Sequence, residues 1–301
     1  MNAVARSVTV LRTGPQALVQ DLGRPGHAHL GVPPSGALDR PSLALANRLV
    51  GNPEGAAGLE VLLGGLVLRA NTSCTVAVTG PWAPVLVNGV HRDSPCHLAP
   101  GDELAVGAPE AGLRCYVALS GGVAVPAELG SRATDLLSGI GPDPLRDGDE
   151  LPLGDPVGPP VGVDVLVPAH VPDELVVPVV LGPRDDWFDG AARQLAAGRW
   201  VVSDRGNRVG LRLDGTALRR APEHLGRELP SEGLVTGAVQ VPADGQPVVF
   251  LADHPTTGGY PVIGVVPEPA LPALAQARPG TPLRLQVLPA PPERAVDYYP
   301  A

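Results

Sequence analysis

The chain has 301 residues, of which 44% are apolar and 18% charged, and its formal net charge is −9. The length and this balance indicate a folded protein with room for two domains. The acidic charge argues against binding to nucleic acid or to anionic membranes, which requires basic patches. The sequence contains no apolar run of about 18 residues, so no membrane span is predicted.

Short runs rich in β-branched residues recur along the chain and predict β-strands. The 38 glycines and 37 prolines separate these runs, as is typical of many short strands joined by turns. The predicted strands are Ser7–Leu11, Gly65–Arg69, Cys74–Thr79, Val85–Asn88, Glu103–Gly107, Leu113–Leu119, Leu175–Leu181, Arg199–Ser203, Gly237–Val241, Pro247–Ala252, Pro261–Val266 and Leu283–Leu288.

Helical periodicity appears in three places. Asp39 is the expected N-cap of a helix over Ser42–Val50, with Pro41 in its first turn and Gly51 as C-cap. The other two predicted helices are Asp185–Ala197 and Pro269–Ala277. The pattern therefore predicts a mostly β protein with a few short helices.

A weak internal repeat suggests that two similar domains follow each other. Val19–Arg24 resembles Val202–Asn207, and Pro100–Leu104 resembles Pro279–Leu283. The proline-rich stretch Pro152–Pro172 has almost no periodic signal and is the expected linker. We predict an N-terminal domain over residues 1–165 and a C-terminal domain over residues 173–301.

The cysteines and the N-terminal residues indicate the cellular compartment of the protein. Three cysteines, an odd number set far apart, are expected to be buried free thiols in a reducing compartment. Met1–Gly14 is too polar for the apolar core of a signal peptide. We therefore expect a cytoplasmic protein.

The sequence contains no lysine, since all 22 basic residues are arginine. A phosphate-binding loop that ends in Gly-Lys-Ser/Thr, a Schiff-base lysine and a biotinylated lysine are thereby excluded from this chain. If the reaction uses ATP or biotin, another chain must carry the lysine-dependent part.

Three glycine-rich segments concentrate polar side chains. We name them the first polar segment (Gln20–Asp39), the middle polar segment (Gly130–Asp135) and the last polar segment (Leu251–Pro261). Arginine binds carboxylates through two parallel hydrogen bonds. Glycine lets backbone N–H groups approach an anion, and Asp with His relays protons near neutral pH.

Simpler interpretations of these residues stay open. His27 and His29 form a His-x-His pair, but no third ligand stands at a characteristic spacing, so no metal site is predicted. Ser35 lacks the Gly-x-Ser-x-Gly pattern of a hydrolytic nucleophile. Asp39 is also explained as a helix cap, and Arg24 is also explained by pairing with Asp21 or Asp39.

The polar segments and several other motifs resemble the biotin-dependent carboxyltransferase-like family, which includes the C subunit of 5-oxoprolinase and subunit 2 of allophanate hydrolase. The resemblance covers essentially the whole chain, with one departure at Ser138–Gly148, where the family has a longer loop. The motifs are Gln20–Gly26, Gly31–Asp39, Leu45–Asn52, Leu59-Glu60, Leu129–Arg132, Gly148-Asp149, Ser231–Gly233, Gly237–Pro242 and Thr256–Pro261.

The resemblance implies a fold and a function. The fold would be two tandem cyclophilin-like β-barrel domains. The chain would be the C subunit of an ATP-dependent 5-oxoprolinase, inactive alone, which works with B-type and A-type partner subunits of the same enzyme. No cofactor would be covalently bound, and ATP would be used on a partner chain. The alternatives are a carboxyltransferase component of a biotin-dependent urea-handling enzyme, and a regulator that antagonises a partner inhibiting a histidine kinase.

Opening a lactam requires groups that hold the polar ends of the substrate and groups that handle a proton and an oxyanion. We expect the first and last polar segments to converge on one groove. Arg24 would bind the substrate carboxylate, while Asp21, or His254 with Asp253, would manage the proton. Thr257, with the backbone at Gly258-Gly259, would face the oxyanion. The residues expected to line the groove are Gln20, Ser35, Asn47 and Tyr260.

Overall fold

A computed structural model describes residues 6–161 and 168–289, and within these ranges the chain forms twenty β-strands and three α-helices. The prediction of a mostly β fold with a few short helices is confirmed. The linker predicted at Pro152–Pro172 lies partly outside the described residues, so the domain boundary stays a prediction.

The N-terminal half contains eleven strands in two antiparallel sheets. The six-stranded sheet has the order β11-β1-β4-β9-β6-β7, and the five-stranded sheet has the order β2-β3-β10-β5-β8. The strands are β1 (Ser7–Arg12), β2 (Gln16–Gln20), β3 (Gly58–Leu62), β4 (Val67–Ala70), β5 (Cys74–Thr79), β6 (Val85–Val87), β7 (Val90–His91), β8 (Cys96–Leu98), β9 (Glu103–Val106), β10 (Arg114–Leu119) and β11 (Glu150–Pro152).

The C-terminal half contains a closed barrel of seven strands in the order β12-β19-β16-β17-β14-β13-β20. The barrel closes where β12 pairs in parallel with β20, from Leu175 opposite Leu283 to Val179 opposite Val287. A small ribbon of β15 and β18 lies outside it. The strands are β12 (Leu175–Leu181), β13 (Trp200–Val202), β14 (Gly210–Gly215), β15 (Glu232–Gly233), β16 (Ala238–Gln240), β17 (Val248–Phe250), β18 (Thr257–Gly258), β19 (Val262–Val265) and β20 (Pro282–Val287).

Helix α1 (Arg40–Leu49) begins after its predicted cap but ends one residue earlier than predicted, so that Val50 and not Gly51 is its C-cap. The Asp39 side chain accepts a hydrogen bond from Ser42 N at 3.1 Å and so satisfies one of the free N–H groups of the first turn. The capping role expected for Asp39 is confirmed. The helix packs against β5 and β10 of the five-stranded sheet through its buried face, which includes Leu43 and Ala46.

The other two helices are shorter than predicted. The segment 185–197 divides into a 3-10 turn, Asp185–Trp187, and helix α2 (Ala191–Ala197). Gly190 between them adopts a left-handed conformation, with φ of 63°, which a continuous helix does not allow. In the same way a 3-10 turn, Glu268–Ala270, precedes helix α3 (Leu271–Ala275).

Each half has its own hydrophobic core. One core is built from residues between Val8 and Leu153, and the other contains residues between Leu175 and Leu285. Leu38 crosses between the halves, because it precedes α1 yet packs in the C-terminal core. The loop before α1 is therefore a contact between the halves, and the polar site lies beside it.

Candidate functional site

The site is built on the outer face of the five-stranded sheet. Alternate residues of β2, β3 and β10 point into the N-terminal core, including Val19, Leu59 and Val117. The residues between them point outward and are nevertheless buried, among them Glu60 and Tyr116, which are paired across β3 and β10. A buried face that carries charge requires partners, and the C-terminal half supplies them.

Arg208 of the C-terminal half is the central partner. It follows β13 in the chain, is only 1% exposed, and reaches Glu60 through Nη1, which donates to Oε1 at 2.6 Å. It also binds Asp253 with two hydrogen bonds, from Nε at 2.9 Å and from Nη2 at 3.0 Å. A further bond from Nη2 reaches the carbonyl oxygen of Gly36 at 2.7 Å. One guanidinium thus joins carboxylates from both halves of the chain.

Glu60 has additional partners on both of its oxygens. The Tyr116 hydroxyl and the Leu38 N–H donate to Oε2 at 2.8 and 2.9 Å, and Arg114 lies 3.5 Å from Oε1. Burial by itself would raise the pKa of Glu60, but Arg208, Arg114 and these hydrogen bonds hold the pKa below its usual value. Glu60 is therefore a buried carboxylate that stays ionised.

Asp253 brings the first and last polar segments together. The Ser35 hydroxyl donates to Asp253 Oδ1 at 2.7 Å, and Ser35 N donates to the carbonyl of Ala252 at 3.0 Å. Leu136 N, just after the middle polar segment, donates to Asp253 Oδ2 at 3.2 Å. The three segments therefore meet at one carboxylate, although Ser35 and Asp253 are 218 positions apart.

Close packing of glycine permits this arrangement of the first polar segment. Gly36 adopts a φ of 89°, and a Cβ atom there would lie 2.7 Å from the backbone nitrogen of Gly23. A side chain at Gly36 would separate these two stretches of backbone. The glycine thus allows Ser35 to lie against both Thr134 and Asp253.

Asp21 connects the first polar segment to the middle one. Its carboxylate accepts hydrogen bonds from Ser131 Oγ and from Arg132 N, both at 2.6 Å, and from Gly23 N at 2.7 Å. These contacts hold the loop in place. A part for Asp21 in proton transfer stays a prediction.

Arg24 is buried without a counter-ion among the described residues. Its Nε donates to the carbonyl of Glu128 at 3.4 Å and its Nη2 donates to the carbonyl of Ala133, while Nη1 is buried with no hydrogen-bond partner there. Arg24 forms no ion pair with Asp21 or Asp39, so the alternative in which it pairs with one of them is wrong.

His254 follows Asp253 and is almost fully buried. Its Nδ1 lies 2.7 Å from the carbonyl of Pro255. Because a carbonyl oxygen only accepts, Nδ1 carries the proton and Nε2 is the basic nitrogen of the neutral ring. Burial lowers the pKa of His254, although the Pro255 bond and the charges of Asp253 and Asp135 oppose this. His254 is therefore neutral at neutral pH and able to accept a proton.

The end of the last polar segment lies in the small ribbon of β15 and β18. Thr257 and Gly258 form β18 and pair with Gly233 and Glu232 of β15, while Gly259 and Tyr260 are exposed. The structure thus places Thr257, Gly259 and Tyr260 at the surface, whereas Gly258 is half-buried. Their predicted contact with an oxyanion, or with the substrate, stays a prediction.

Asn47 holds the turn after α1. Its Nδ2 donates to the carbonyls of Glu54 at 3.1 Å and Ala56 at 2.8 Å, and its Oδ1 accepts from Asn52. Both amide hydrogens are used within the protein. A place for Asn47 in the substrate groove stays a prediction.

Glu60 and Arg208 are not among the site residues predicted from the sequence. Glu60 is a single charge in the apolar run 59–63, and this pattern is the signal that a buried partner exists. Arg208 stands in a polar loop, and nothing local distinguishes it from exposed arginines such as Arg205. Only the contact between the two halves identifies it.

An open groove of about 860 Å³ lies beside the site, between the two halves. Leu251 and Ala252, which directly precede Asp253, form part of its wall. Arg40 and Glu268, 3.5 Å apart, form an ion pair between opposite sides of the groove. Other groove residues are Leu22, Pro34, Leu38, Val235, Leu271 and Pro272.

Neither a metal cluster nor a membrane-spanning helix occurs in the described residues. Among residues 6–161 and 168–289, no three His, Cys, Asp or Glu side chains are grouped so that they could hold a metal ion. Within the same ranges, no helix combines the length and the apolar character needed to cross a bilayer.

Comparison with known proteins gives consistent matches over the chain. The family model "Carboxyltransferase domain, subdomain A and B" matches residues 30–287. The 5-oxoprolinase C subunit of Escherichia coli (strain K12) is 38% identical over 283 residues, which cover 91% of this chain and 89% of that protein. The 5-oxoprolinase C subunit of Haemophilus influenzae is 29% identical over 291 residues, which cover 93% of this chain and 91% of that protein.

Larger enzymes contain a similar region. The urea amidolyase of Lachancea kluyveri is 32% identical over 300 residues, which cover 90% of this chain but 16% of that protein. The crystal structure of the Kluyveromyces lactis urea amidolyase superimposes with a TM-score of 0.88 at 29% identity. That match covers 96% of this chain and 19% of the amidolyase chain.

Proposed function

Because the chain belongs to the family of carboxyltransferase domains with subdomains A and B, we propose that it is the C subunit of an ATP-dependent 5-oxoprolinase. The complex would convert 5-oxoproline to glutamate by opening its lactam. The match to a 5-oxoprolinase C subunit along 89% of that protein supports this proposal. Because these relatives are named as subunits, they also support a multi-subunit enzyme. Its other members would be A-type and B-type subunits.

The observation that carries the proposal is the buried guanidinium of Arg24. An arginine that is 1% exposed and lacks a counter-ion among the described residues is costly, because burial removes water from the charge. A ligand carboxylate would supply the missing charge through charge-assisted hydrogen bonds. 5-Oxoproline carries a carboxylate, whereas urea is neutral, so Arg24 favours the first substrate over the second.

The proton chemistry is assigned to His254. Ring opening must deliver a proton to the departing nitrogen, and attack on the carbonyl must remove one from water. The basic Nε2 of the neutral imidazole suits both steps. Asp253, fixed by Arg208 and Ser35, would hold the backbone before His254 in one position.

ATP would be used on a partner chain of the complex. This chain has no lysine, so it cannot form the lysine-containing loop that commonly holds the phosphates of ATP. We therefore propose that it is inactive alone and binds no covalent cofactor. We also propose a cytoplasmic location, which the three free cysteines support.

The test is reconstitution with the two partner chains. We expect ATP-dependent release of glutamate from 5-oxoproline by the complex and none by this chain alone. Arg24→Met should lower kcat/KM by roughly ten- to a hundredfold, because one charge-assisted contact is lost. Arg193→Met, at an exposed ion pair with Asp189, is the matched control and should be neutral.

Other results would favour the alternatives. Biotin-dependent carboxylation of urea without glutamate release would identify a carboxyltransferase component. Tight binding of a partner with neither activity would identify a regulator.

A further inference from the structure

Three buried side-chain atoms without a hydrogen-bond partner belong to residues that meet at the backbone of Ala133 and Thr134. Within the described part of the chain, five buried side-chain atoms lack partners, and three of them are Gln20 Oε1, Arg24 Nη1 and Thr134 Oγ1. The Gln20 amide donates to the carbonyl of Thr134, and Arg24 donates to the carbonyl of the adjacent Ala133. A buried polar atom without a partner is rare in a native protein and indicates a missing water or ligand.

The orientation of the Gln20 amide is fixed by its neighbour. Nε2 lies 2.8 Å from the Thr134 carbonyl oxygen, which can only accept, so the nitrogen must occupy this position. The atom without a partner is consequently the oxygen Oε1. This oxygen is a pure acceptor and requires an N–H or O–H donor.

The three atoms therefore offer a definite pattern. Arg24 Nη1 is a cationic donor, Gln20 Oε1 is an acceptor, and Thr134 Oγ1 is able to do either. A simple carboxylate would bind Arg24, but it has no hydrogen to donate to Gln20 Oε1. A ligand with a carboxylate and an adjacent N–H would satisfy both.

The pattern also borders the proposed reaction centre. The Thr134 carbonyl that accepts from Gln20 accepts from Ser35 Oγ at 3.2 Å, and the same hydroxyl donates to Asp253. A ligand held by Gln20 and Arg24 would thus lie next to the Asp253-His254 pair. The loop that carries Thr134 runs between β10 and β11.

We propose that Gln20 Oε1 accepts the ring N–H of a lactam whose adjacent carbon carries the carboxylate bound by Arg24. The site would thus select α-carboxylated lactams with a free N–H. This inference rests on the proposed function, and it adds that the N–H, as well as the carboxylate, determines specificity. Gln20 is then a specificity-determining residue of this chain.

The test compares four ligands as competitors of 5-oxoproline turnover by the reconstituted complex. They are 5-oxoproline itself as an unlabelled competitor, its N-methyl derivative, the lactone with ring oxygen in place of N–H, and pyrrolidin-2-one, which lacks the carboxylate. We expect the N-methyl derivative and the lactone to bind roughly ten- to a hundredfold more weakly than 5-oxoproline, because neither offers a hydrogen to Gln20 Oε1. Pyrrolidin-2-one should also bind weakly, through the loss of its contact with Arg24.

A variant then assigns the effect to Gln20. Gln20→Met removes the acceptor at similar volume and should reduce the preference for lactam over lactone to less than about threefold, while the preference for the carboxylate remains. Gln194→Met is the matched control, since the Gln194 amide donates to the carbonyls of Asp189 and Arg219 in the C-terminal half. It should leave both preferences unchanged.

The outcomes separate this inference from the proposed function. No turnover of 5-oxoproline by the wild-type complex would overturn the proposed function. Turnover with equal binding of lactam and lactone would overturn only this inference, and would assign the three atoms to an ordered water. The comparison of ligands uses only the wild-type complex. It therefore tests the role of the lactam N–H even if Gln20→Met does not fold.

Discussion

Replacement of Arg208 by methionine tests whether the contact between the halves holds the site together. Arg208 donates four hydrogen bonds, two to Asp253, one to Glu60 and one to the carbonyl of Gly36. Methionine has a similar length and apolar stem but no charge. The variant therefore removes the cation and leaves two carboxylates in a buried site.

The expected loss of stability is large. Removing one partner of a buried ion pair costs about 3–5 kcal/mol, because the remaining charge is uncompensated. Some compensation persists, since Glu60 keeps Tyr116 and Arg114 and Asp253 keeps Ser35. We expect the free energy of unfolding at pH 7 to fall by about 4 kcal/mol. The exposed Arg205, paired with Asp214, is the control, and Arg205→Met should cost less than about 1 kcal/mol.

The loss should depend on pH with a definite sign. In the wild type the pKa of Glu60 is lowered, so its stabilising contribution is present above the unfolded pKa and is lost as the pH falls through the folded pKa. Without Arg208, burial dominates and the pKa of Glu60 rises. Protonation of Glu60 then removes its uncompensated charge from the variant. The difference in the free energy of unfolding between wild type and variant should therefore shrink as the pH falls from 7 toward about 4.

Urea unfolding provides the measurement. Trp187 and Trp200 are buried in the C-terminal half and report its unfolding by fluorescence, while circular dichroism reports both halves. If Arg208→Met lowered the free energy of unfolding no more than Arg205→Met, Arg208 would not hold the two halves together. A large change that is independent of pH would refute the assignment to buried carboxylates.

Three further predictions concern other positions. Cys74 and Cys115 should resist thiol reagents at pH 8 in the native protein, because burial raises their pKa values to about 11 and about 12; rapid labelling would contradict this. Gly36→Ala should cost about 2 kcal/mol more than Gly26→Ala in thermal unfolding, since both glycines have positive φ but only the first meets a backbone atom; equal costs would show that the loop adapts. His254→Gln should gain stability relative to the wild type as the pH falls from 7.5 to about 5, because burial lowers the pKa of His254 and the folded state resists its protonation; parallel pH profiles would contradict the shift.

Local patterns predicted most of the secondary structure. Strands β5 and β12 lie at the predicted residues, and α1 begins after its predicted cap, Asp39. Strands β2 and β3 were missed, because both faces are buried and no alternation marks them. Only the order of the strands shows that the C-terminal half closes into a barrel while the N-terminal half forms two sheets.

The sequence by itself determined the β-rich class, the cap of α1, the absence of lysine and the three polar segments. These features follow from the periodicity of apolar residues, from turn-forming residues and from composition. All of them can be read from the sequence without knowing which distant residues meet. Which polar residues meet was decided only by the tertiary structure. Glu60 and Arg208 are 148 positions apart, and their charges require each other only because the two halves bury them on one sheet face. For the same reason, the sequence alone does not distinguish Arg24 from the other arginines, of which the chain has 22 in all. Its burial with an unpartnered Nη1 is the observation that indicates a ligand.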